Sequence, residues 1–595
     1  MTEQMHSMNT RPGTDFYDPW FKTEFNIPHA TMYTMLREMA DREPKRDAIY
    51  FLKKTFSFAD LAEEIERAAR ALVAAGFKAG DVITLCLPNI PQNIILFYAA
   101  NKLGLIAQML HPMTPPKAIA RAMKAASGRA LFLAANYFEK HGMPTNGTSF
   151  FKENDLPVIV CSVEDYNTGL MTLFQKKSDE PCTDERGCLS WEAFCGRQAE
   201  VRYVRDRQDD LSPSVYLHSG GTTGDPKIIV LNDRAFNAIS FQMYQLLDIQ
   251  SMDAKTAERN GMLLALPLFH GFGLCVGMHS AFANGLPAFL MPKFSPAELA
   301  DGIRRKRIGN IFAVPTMLEA MLSSADFKRL DCSAVRNVFC GGDFLNPELR
   351  DRFNYFIAER GSSAQVREGY GLTETVTVCS VNPAHKNRIG SVGLPLANVL
   401  MKIVRPGTQE AADFDESGEI CVSGPTAMIG YLNDEAATAA TIQRHADGLD
   451  WIHSGDIGHC DEDGFFYFES RMKRMIKVSG VPVIPAQIET LVSRLEHVAE
   501  VAAYEMPDSY RMSAVKLSIV LDKNATARMN ADSLRQFKER LNETIRDVIK
   551  RELLIYAVPE AIDYREQLPT TPVGKIDIKA LEREAAQAAT ATEHD

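Results

Sequence analysis

No run of about twenty apolar residues occurs in the 595-residue chain, so no segment of the kind that crosses a bilayer as a helix is expected. The opening residues, Met1-Thr2-Glu3-Gln4-Met5-His6, lack the charged-then-apolar pattern of a secretion signal. The eleven cysteines have no paired spacing, and an odd count suits a reducing compartment. Cys182, Cys188 and Cys195 lie close together, yet their spacing fits no zinc pattern and no histidine falls among them. Basic charge is short too: 65 Lys and Arg against 76 Asp and Glu leave a formal charge of −11, which argues against a nucleic-acid footprint. Arg304-Arg305-Lys306-Arg307 reads as the solvated face of a helix. No internal repeat is visible. The expectation is a cytoplasmic protein, with peripheral membrane contact left open, in which the sequon Asn146-Gly147-Thr148 would go unused.

What is present is the composition of a globular protein, 46% hydrophobic and 24% charged, over a length that exceeds one ordinary domain. After Ser57, a candidate cap, Leu61, Ile65, Ala68, Ala69, Leu72 and Ala75 recur at helical spacing. A strand at 81–88, a helix at 92–103 and a strand at 106–110 follow, and strand, helix, strand is the order of a parallel sheet. Apolar runs at 262–266, 288–291, 311–314 and 338–340 extend the pattern. The stretch 142–208 is polar and irregular, with only a short apolar run at Val158 to Val160, and reads as an elaborated surface segment. Beyond Asp456 short alternating runs at 464–468 and 475–478 predict antiparallel strands and a second, smaller domain, with strands at 498–504 and 515–521. A helix there carries Leu534, Phe537, Leu541, Ile545, Val548 and Ile549 on one face.

The most informative segment is Leu217-His218-Ser219-Gly220-Gly221-Thr222-Thr223-Gly224-Asp225-Pro226-Lys227. Glycines allow backbone N–H groups to converge on one point, hydroxyls add neutral donors, and Lys227 adds a mobile positive charge; a polyphosphate needs all three. The loop is not of the Gly-Lys-Ser or Gly-Lys-Thr type, and a Gly/Thr surface turn is the alternative. Four further segments concentrate groups suited to a nucleotide or its metal. They are Arg367-Glu368-Gly369-Tyr370-Gly371-Leu372-Thr373-Glu374, Trp451-Ile452-His453-Ser454-Gly455-Asp456, Glu469-Ser470-Arg471-Met472-Lys473, and Leu568-Pro569-Thr570-Thr571-Pro572-Val573-Gly574-Lys575.

Together and in this order the five motifs resemble the acyl-adenylate-forming superfamily of acyl-CoA synthetases, aryl-CoA ligases, luciferases and peptide-synthetase adenylation domains. The resemblance implies an α/β fold: a large N-terminal adenylate-forming body with parallel-type sheets and a β-rich subdomain over residues 1–472, and a small mobile α+β C-terminal domain over 473–595. It implies that Ser219, Gly221, Thr222, Thr223, Gly224 and Lys227 hold phosphates, that Tyr370 beside Gly371 stacks on adenine, and that Gly341, Gly342 and Asp343 line the adenine edge. Thr373 would donate to the α-phosphate and Glu374 would be the Mg²⁺ carboxylate, in keeping with that ion's preference for hard oxygens. Asp456 would accept from ribose hydroxyls, Arg471 would be its neighbour on ribose or phosphate, Gly480 would let pantetheine pass, and Lys575 would bridge carboxylate and α-phosphate. His270 resembles a histidine on the acyl and pantetheine path, with a core histidine as the alternative. Gly220, Ile228, Ser470 and Pro482 depart from the usual pattern without removing an essential charge.

The function so implied is an ATP- and Mg²⁺-dependent acid:CoA ligase. No catalytic base is needed, because a carboxylate is already ionised; alignment and charge neutralisation carry the reaction. The uncharged approach at Phe269 to Gly273 favours a medium- or long-chain fatty acid. An aryl or bile-acid-type acid, transfer to a separate carrier protein, and a catalytically silent acyl-nucleotide sensor remain alternatives.

Overall fold

The computed structural model describes residues 14–141, 157–166, 188–219, 227–253, 256–257, 259–343, 345–472, 476–478, 481–483, 485–508, 512–522, 526–527, 529–553, 555–570 and 576–592. The chain forms two compact units. The first comprises Met1–Lys402, Cys421–His453 and Asp461–Phe466, and the second Ile403–Ile420, Ser454–Cys460 and Tyr467–Asp595.

Two sheets organise the first unit. A nine-stranded sheet runs, edge to edge, through Leu394–Pro395, Ser380–Val381, Val366–Tyr370, Asn337–Cys340, Asn310–Ala313, Met262–Leu264, Ala288–Leu290, Asp47–Phe51 and Lys54–Ser57. From Val366–Tyr370 to Asp47–Phe51 all neighbours are parallel. The apolar runs anticipated at 262–266, 288–291, 311–314 and 338–340 therefore lie side by side as buried strands. An eight-stranded sheet runs through Gly430–Tyr431, Ile228–Asn232, Pro213–His218, Ile106–Met109, Val82–Cys86, Gly128–Ala134, Val158–Cys161 and Leu189–Ser190.

Local chemistry explains the helices. Phe58–Ala74 begins with a reciprocal capping box between Ser57 and Asp60 and buries Leu61, Ile65, Ala68, Ala69 and Leu72. Pro91–Lys102 has no polar face and every one of its residues is buried, the arrangement expected of a helix enclosed on all sides. Its polar members find partners: Lys102 pairs with Glu66, and Asn101 Nδ2 donates to Asp233 Oδ1 at 2.6 Å.

The stretch 142–208 is more than surface elaboration. Within its described residues, Val158–Cys161 and Leu189–Ser190 extend the eight-stranded sheet in parallel, and Trp191 is fully buried. The apolar run at 158–160 is the trace of the first of these strands, while the two-residue strand Leu189–Ser190 is too short to leave one. The ten described cysteines are free thiols. In the basic run, Arg304 and Arg305 both pair with Asp301, at 3.5 and 2.8 Å, while Arg307 lies over the Tyr50 ring.

In the second unit Val498–Asp508 pairs antiparallel with Met512–Leu521, which pairs parallel with Ala561–Arg565. One face of this sheet packs Ala503, Val515, Leu517 and Ile519 against Ile488, Leu541, Ile545 and Ile549, burying three of the six predicted stripe residues of the helix Ala531–Glu552 and leaving Leu534, Phe537 and Val548 half-buried. The other packs Ala502, Tyr504 and Val520 against Leu568, Leu581 and Ala585. Alternate strand residues thus serve opposite faces, as pleating dictates. No described helix of either unit is long and apolar enough to cross a membrane.

Candidate active site

The glycine- and threonine-rich loop connects two antiparallel strands, Pro213–His218 and Ile228–Asn232, whose apolar residues Val215, Leu217, Ile229 and Leu231 are buried. Two hydrogen bonds close its mouth: Ser219 N donates to Lys227 O at 2.9 Å, and Lys227 N donates to Ser219 Oγ at 3.1 Å. Beneath it, Thr84 Oγ1 donates to Gln108 Oε1 at 2.8 Å and the Gln108 amide donates to His218 Nε2 at 3.2 Å. Burial pushes His218 down to about 4, so the ring is neutral and accepts through Nε2. Gly221, Thr222, Thr223 and Gly224 lie outside the described residues.

The nine-stranded sheet supplies the second group. Asn337–Cys340 and Val366–Tyr370 are adjacent parallel strands, and their carboxyl ends run into Gly341-Gly342-Asp343 and Gly371-Leu372-Thr373-Glu374. The crevice beyond the carboxyl ends of parallel strands is where open α/β sheets bind ligands. A Cβ on Gly341 would stand 3.3 Å from Gly369 O, and Gly342 turns the chain at φ +80°. Tyr370 is buried, its carbonyl accepting from Cys379 N at 2.8 Å.

Beyond Tyr370 the backbone is drawn tight. A Cβ on Gly371 would stand 1.5 Å from Thr377 O, and one on Gly271 would stand 1.8 Å from Val376 O, so only glycine permits either approach. Val376 itself is a β-branched residue at φ 65°, ψ −55°. Thr377 N donates back to Thr375 O at 2.7 Å, which makes Val376 the centre of a positive-φ γ-turn, a rare and strained conformation. The turn brings Val376 and Thr377 against Gly271, the residue after His270. His270 is exposed, which overturns the core-histidine alternative, and its Nδ1 accepts from Phe272 N at 3.2 Å; it starts the π-helix Phe272–His279. Nearby on the strand, burial pushes Glu368 up to about 7 against the opposing pull of Arg350, 3.6 Å away.

A residue that sequence reasoning missed joins the two groups. Gly430–Tyr431 pairs antiparallel with Val230 and Ile229, two positions beyond Lys227. Tyr431 OH donates to Glu374 Oε1 at 2.8 Å, and Lys227 Nζ lies 4.4 Å from the centre of the Tyr431 ring. Met428 N also donates to Glu374 O at 2.8 Å. The only signal in the sequence is an aromatic after a glycine, flanked by Met428, Ile429 and Leu432, too common to single out.

In the second unit Arg471 Nε lies 3.4 Å from Asp456 Oδ1, the carboxylate buried and the arginine largely exposed. Within the strand Asp450–Cys460, Gly455 stands just before Asp456 at φ +68°, and its N–H donates to Glu419 Oε1 at 2.9 Å. Ser219, Lys227, His270, Gly341, Gly342, Asp343, Tyr370, Gly371, Thr373 and Glu374 belong to the first unit, Asp456 and Arg471 to the second. Gly480 and Lys575 lie outside the described residues.

A parallel-sheet body with a glycine-rich loop and a carboxylate facing a lysine across one tyrosine defines a nucleotide-handling enzyme. The family model of the AMP-binding enzyme matches residues 36–432, and that of the AMP-binding enzyme C-terminal domain matches residues 487–575. The chain belongs to the AMP-binding enzyme family, the acyl-adenylate-forming group anticipated from its motif order. It is 29% identical to a long-chain-fatty-acid–CoA ligase of Bacillus subtilis (strain 168) over 562 residues, covering 93% of this chain and 94% of the relative. It is 30% identical to 4-coumarate–CoA ligase 2 of Oryza sativa subsp. japonica over 531 residues, covering 88% and 86%. Its fold matches the crystal structure of ATP-bound MatB from Rhodopseudomonas palustris with a TM-score of 0.76 at 20% identity, covering 94% of this chain and 99% of that one.

Proposed function

We propose that this AMP-forming acid–CoA ligase activates a medium- or long-chain fatty acid as its acyl-adenylate and passes the acyl group to CoA. The observation that carries the reading of the site is the meeting of Glu374 and Lys227 on Tyr431, at the mouth of the loop and beside the Thr373 turn. A carboxylate oxygen and an ammonium held there suit the two halves of a metal–triphosphate. Glu374 offers the hard oxygen donor that Mg²⁺ takes, and among the described residues its Oε2 makes no hydrogen bond. When bound, Mg²⁺ would supply charge neutralisation of the phosphates.

The chain's own residues account for the remaining work. Lys227 and the loop draw charge toward the leaving pyrophosphate. Tyr370 and the close glycine pair Gly341 and Gly369 present a flat surface for adenine. Asp456 accepts from ribose hydroxyls beside Arg471, and Lys575 stabilises charge on the α-phosphoryl oxygens. A mobile domain over residues 473–595, hinged at Lys473, exchanges Lys575 for the pantetheine arm, which passes Gly480. The aliphatic acid is favoured because residues 262–278, around His270, contain no charged side chain, and because the Bacillus relative named above is a long-chain-fatty-acid ligase. An aryl acid is the second reading, favoured by the 4-coumarate relative.

The test is thioester formation with CoA across saturated fatty acids of graded length, cinnamic-type acids and bile acids. A kcat/KM highest for an aliphatic acid is expected; one highest for an aryl acid overturns the substrate. Lys575→Ala is expected to lower ATP–pyrophosphate exchange by about 10² while CoA transfer from supplied acyl-adenylate survives. Equal loss of both half-reactions would remove Lys575 from that role.

A further inference from the structure

We propose that Tyr431 is a positioning residue that keeps Glu374 and Lys227 apart and aimed, its hydroxyl fixing one oxygen of the carboxylate and its ring holding the ammonium. The inference rests on the reading of Glu374 as the metal carboxylate and Lys227 as the phosphate cation.

Lys227 and Glu374 both rest on Tyr431, and a direct pair between them would occupy both the metal ligand and the phosphate donor. Among the described residues Lys227 and Glu374 form no ion pair with each other, although both touch Tyr431: its OH lies 2.8 Å from Glu374 Oε1 and its ring centre 4.4 Å from Lys227 Nζ. Tyrosine is suited to this because one end is a neutral donor and the face is electron-rich. A neutral donor orients the carboxylate without cancelling its charge, so Oε2 keeps its affinity for a cation. Hydrogen-bonded partners behind a metal ligand commonly tune metal binding in this way.

The tyrosine is itself held from two sides. Its strand pairs with Ile229 and Val230, which follow Lys227 in the chain. Its N–H donates to Thr438 Oγ1 at 2.9 Å on the helix Glu435–Thr441, which Asp434 caps by accepting from Ala437 N at 2.9 Å. Gly430 allows that approach, since a Cβ there would stand 2.8 Å from Thr438 Cγ2.

The test compares wild type, Tyr431→Phe, Tyr431→Leu and Glu374→Gln. The first readout needs no turnover: Mn²⁺ affinity by electron paramagnetic resonance in the presence of a non-hydrolysable ATP analogue. The second is ATP–pyrophosphate exchange, giving the half-saturating Mg²⁺ and the KM for ATP at saturating metal. Tyr431→Phe keeps the ring and is expected to weaken Mn²⁺ binding and raise half-saturating Mg²⁺ by about tenfold, with the KM for ATP changed by less than about twofold. Tyr431→Leu, or Tyr431→Met if leucine does not fold, removes the spacer and is expected to raise both. A Phe variant with wild-type metal affinity overturns the proposal, as does one whose metal and ATP terms rise equally. A leucine or methionine variant that matches phenylalanine overturns the spacer role of the ring. If Glu374→Gln leaves metal affinity intact, the failure lies instead in the reading of Glu374.

Discussion

The two sheets of the first unit build their shares of the site by different means. At the nine-stranded sheet the geometry is made of backbone against backbone: Gly371 on Thr377, Gly271 on Val376, and a γ-turn centred on a buried valine. At the eight-stranded sheet the loop mouth is closed by two hydrogen bonds between Ser219 and an exposed Lys227. Close backbone contacts cannot be adjusted by a side-chain rotation, whereas hydrogen bonds at a water-facing mouth exchange easily with solvent or ligand. The difference teaches that the proposed adenine and carboxylate side is rigid by construction, while the phosphate side is left free to close on its substrate.

The sharpest way to break this contrast is to add one methyl group at Gly371, on the nine-stranded side. Gly371→Ala puts a carbon 1.5 Å from Thr377 O and 2.4 Å from its carbonyl carbon. The expected result is a loss of stability on the order of 3 kcal/mol or more, the range of severe backbone and overpacking effects, with loss of ATP–pyrophosphate exchange. Thermal unfolding checks the first and the exchange assay the second; an unchanged melting temperature would show the turn to be pliable.

Titration distinguishes the sheets with opposite signs. Glu368, at the nine-stranded sheet, is raised from its ordinary 4.5 to about 7 chiefly by burial. The folded chain therefore keeps a proton that the unfolded chain has released, and this group's contribution to stability falls as pH rises from about 4.5 to about 7. His218, at the eight-stranded sheet, is lowered from 6.5 to about 4 by burial. There the unfolded chain binds the extra proton, so its contribution is lost as pH falls from about 6.5 to about 4. Glu368→Gln should remove a decline with rising pH, and His218→Asn a decline with falling pH, each on the order of 2 kcal/mol across its window. Denaturant unfolding at a series of pH values measures both slopes, and slopes of the same sign in the two variants would contradict the assignment.

The smallest effect is expected at the loop mouth. Ser219→Ala removes the acceptor for Lys227 N and leaves the backbone bond from Ser219 N in place. A stability change of about 1 kcal/mol or less is expected, together with a modest rise in the KM for ATP. A collapse of the fold, comparable with Gly371→Ala, would mean that the two sides are equally rigid.

Much of the fold was legible because its signals are local. Helix Phe58–Ala74 follows from a capping residue and a 3.6-residue period, and the strands of both units from short apolar runs between turns. Single elements of the second unit were legible for the same reason, since alternation in Val498–Asp508 and a stripe on Ala531–Glu552 each need only neighbouring residues to be seen. The candidate site was legible as five motifs whose residue types suit one nucleotide, and the comparisons agree with the family that their order implied. Two expectations needed the structure. In the stretch 142–208 the apolar run at 158–160 was visible, but its place in the eight-stranded sheet, the two-residue strand Leu189–Ser190 and the buried Trp191 were not, because two residues show no period and pairing partners lie far off in the chain. His270 could not be told from a core histidine until its exposure was known.

By itself, then, the sequence determined the periodic elements, the order of the motifs and the chemical types of the groups at the site, all properties of residues a few positions apart. Only the tertiary structure decided which of those groups meet. Tyr431 reaches Glu374 across 57 positions, and Lys227 reaches the same ring from another strand of the eight-stranded sheet. The clash that makes Gly271 obligatory comes from Val376, on a separate loop. Such meetings depend on how strands add to a sheet and how closely two backbones approach, and no local pattern of side chains encodes either distance.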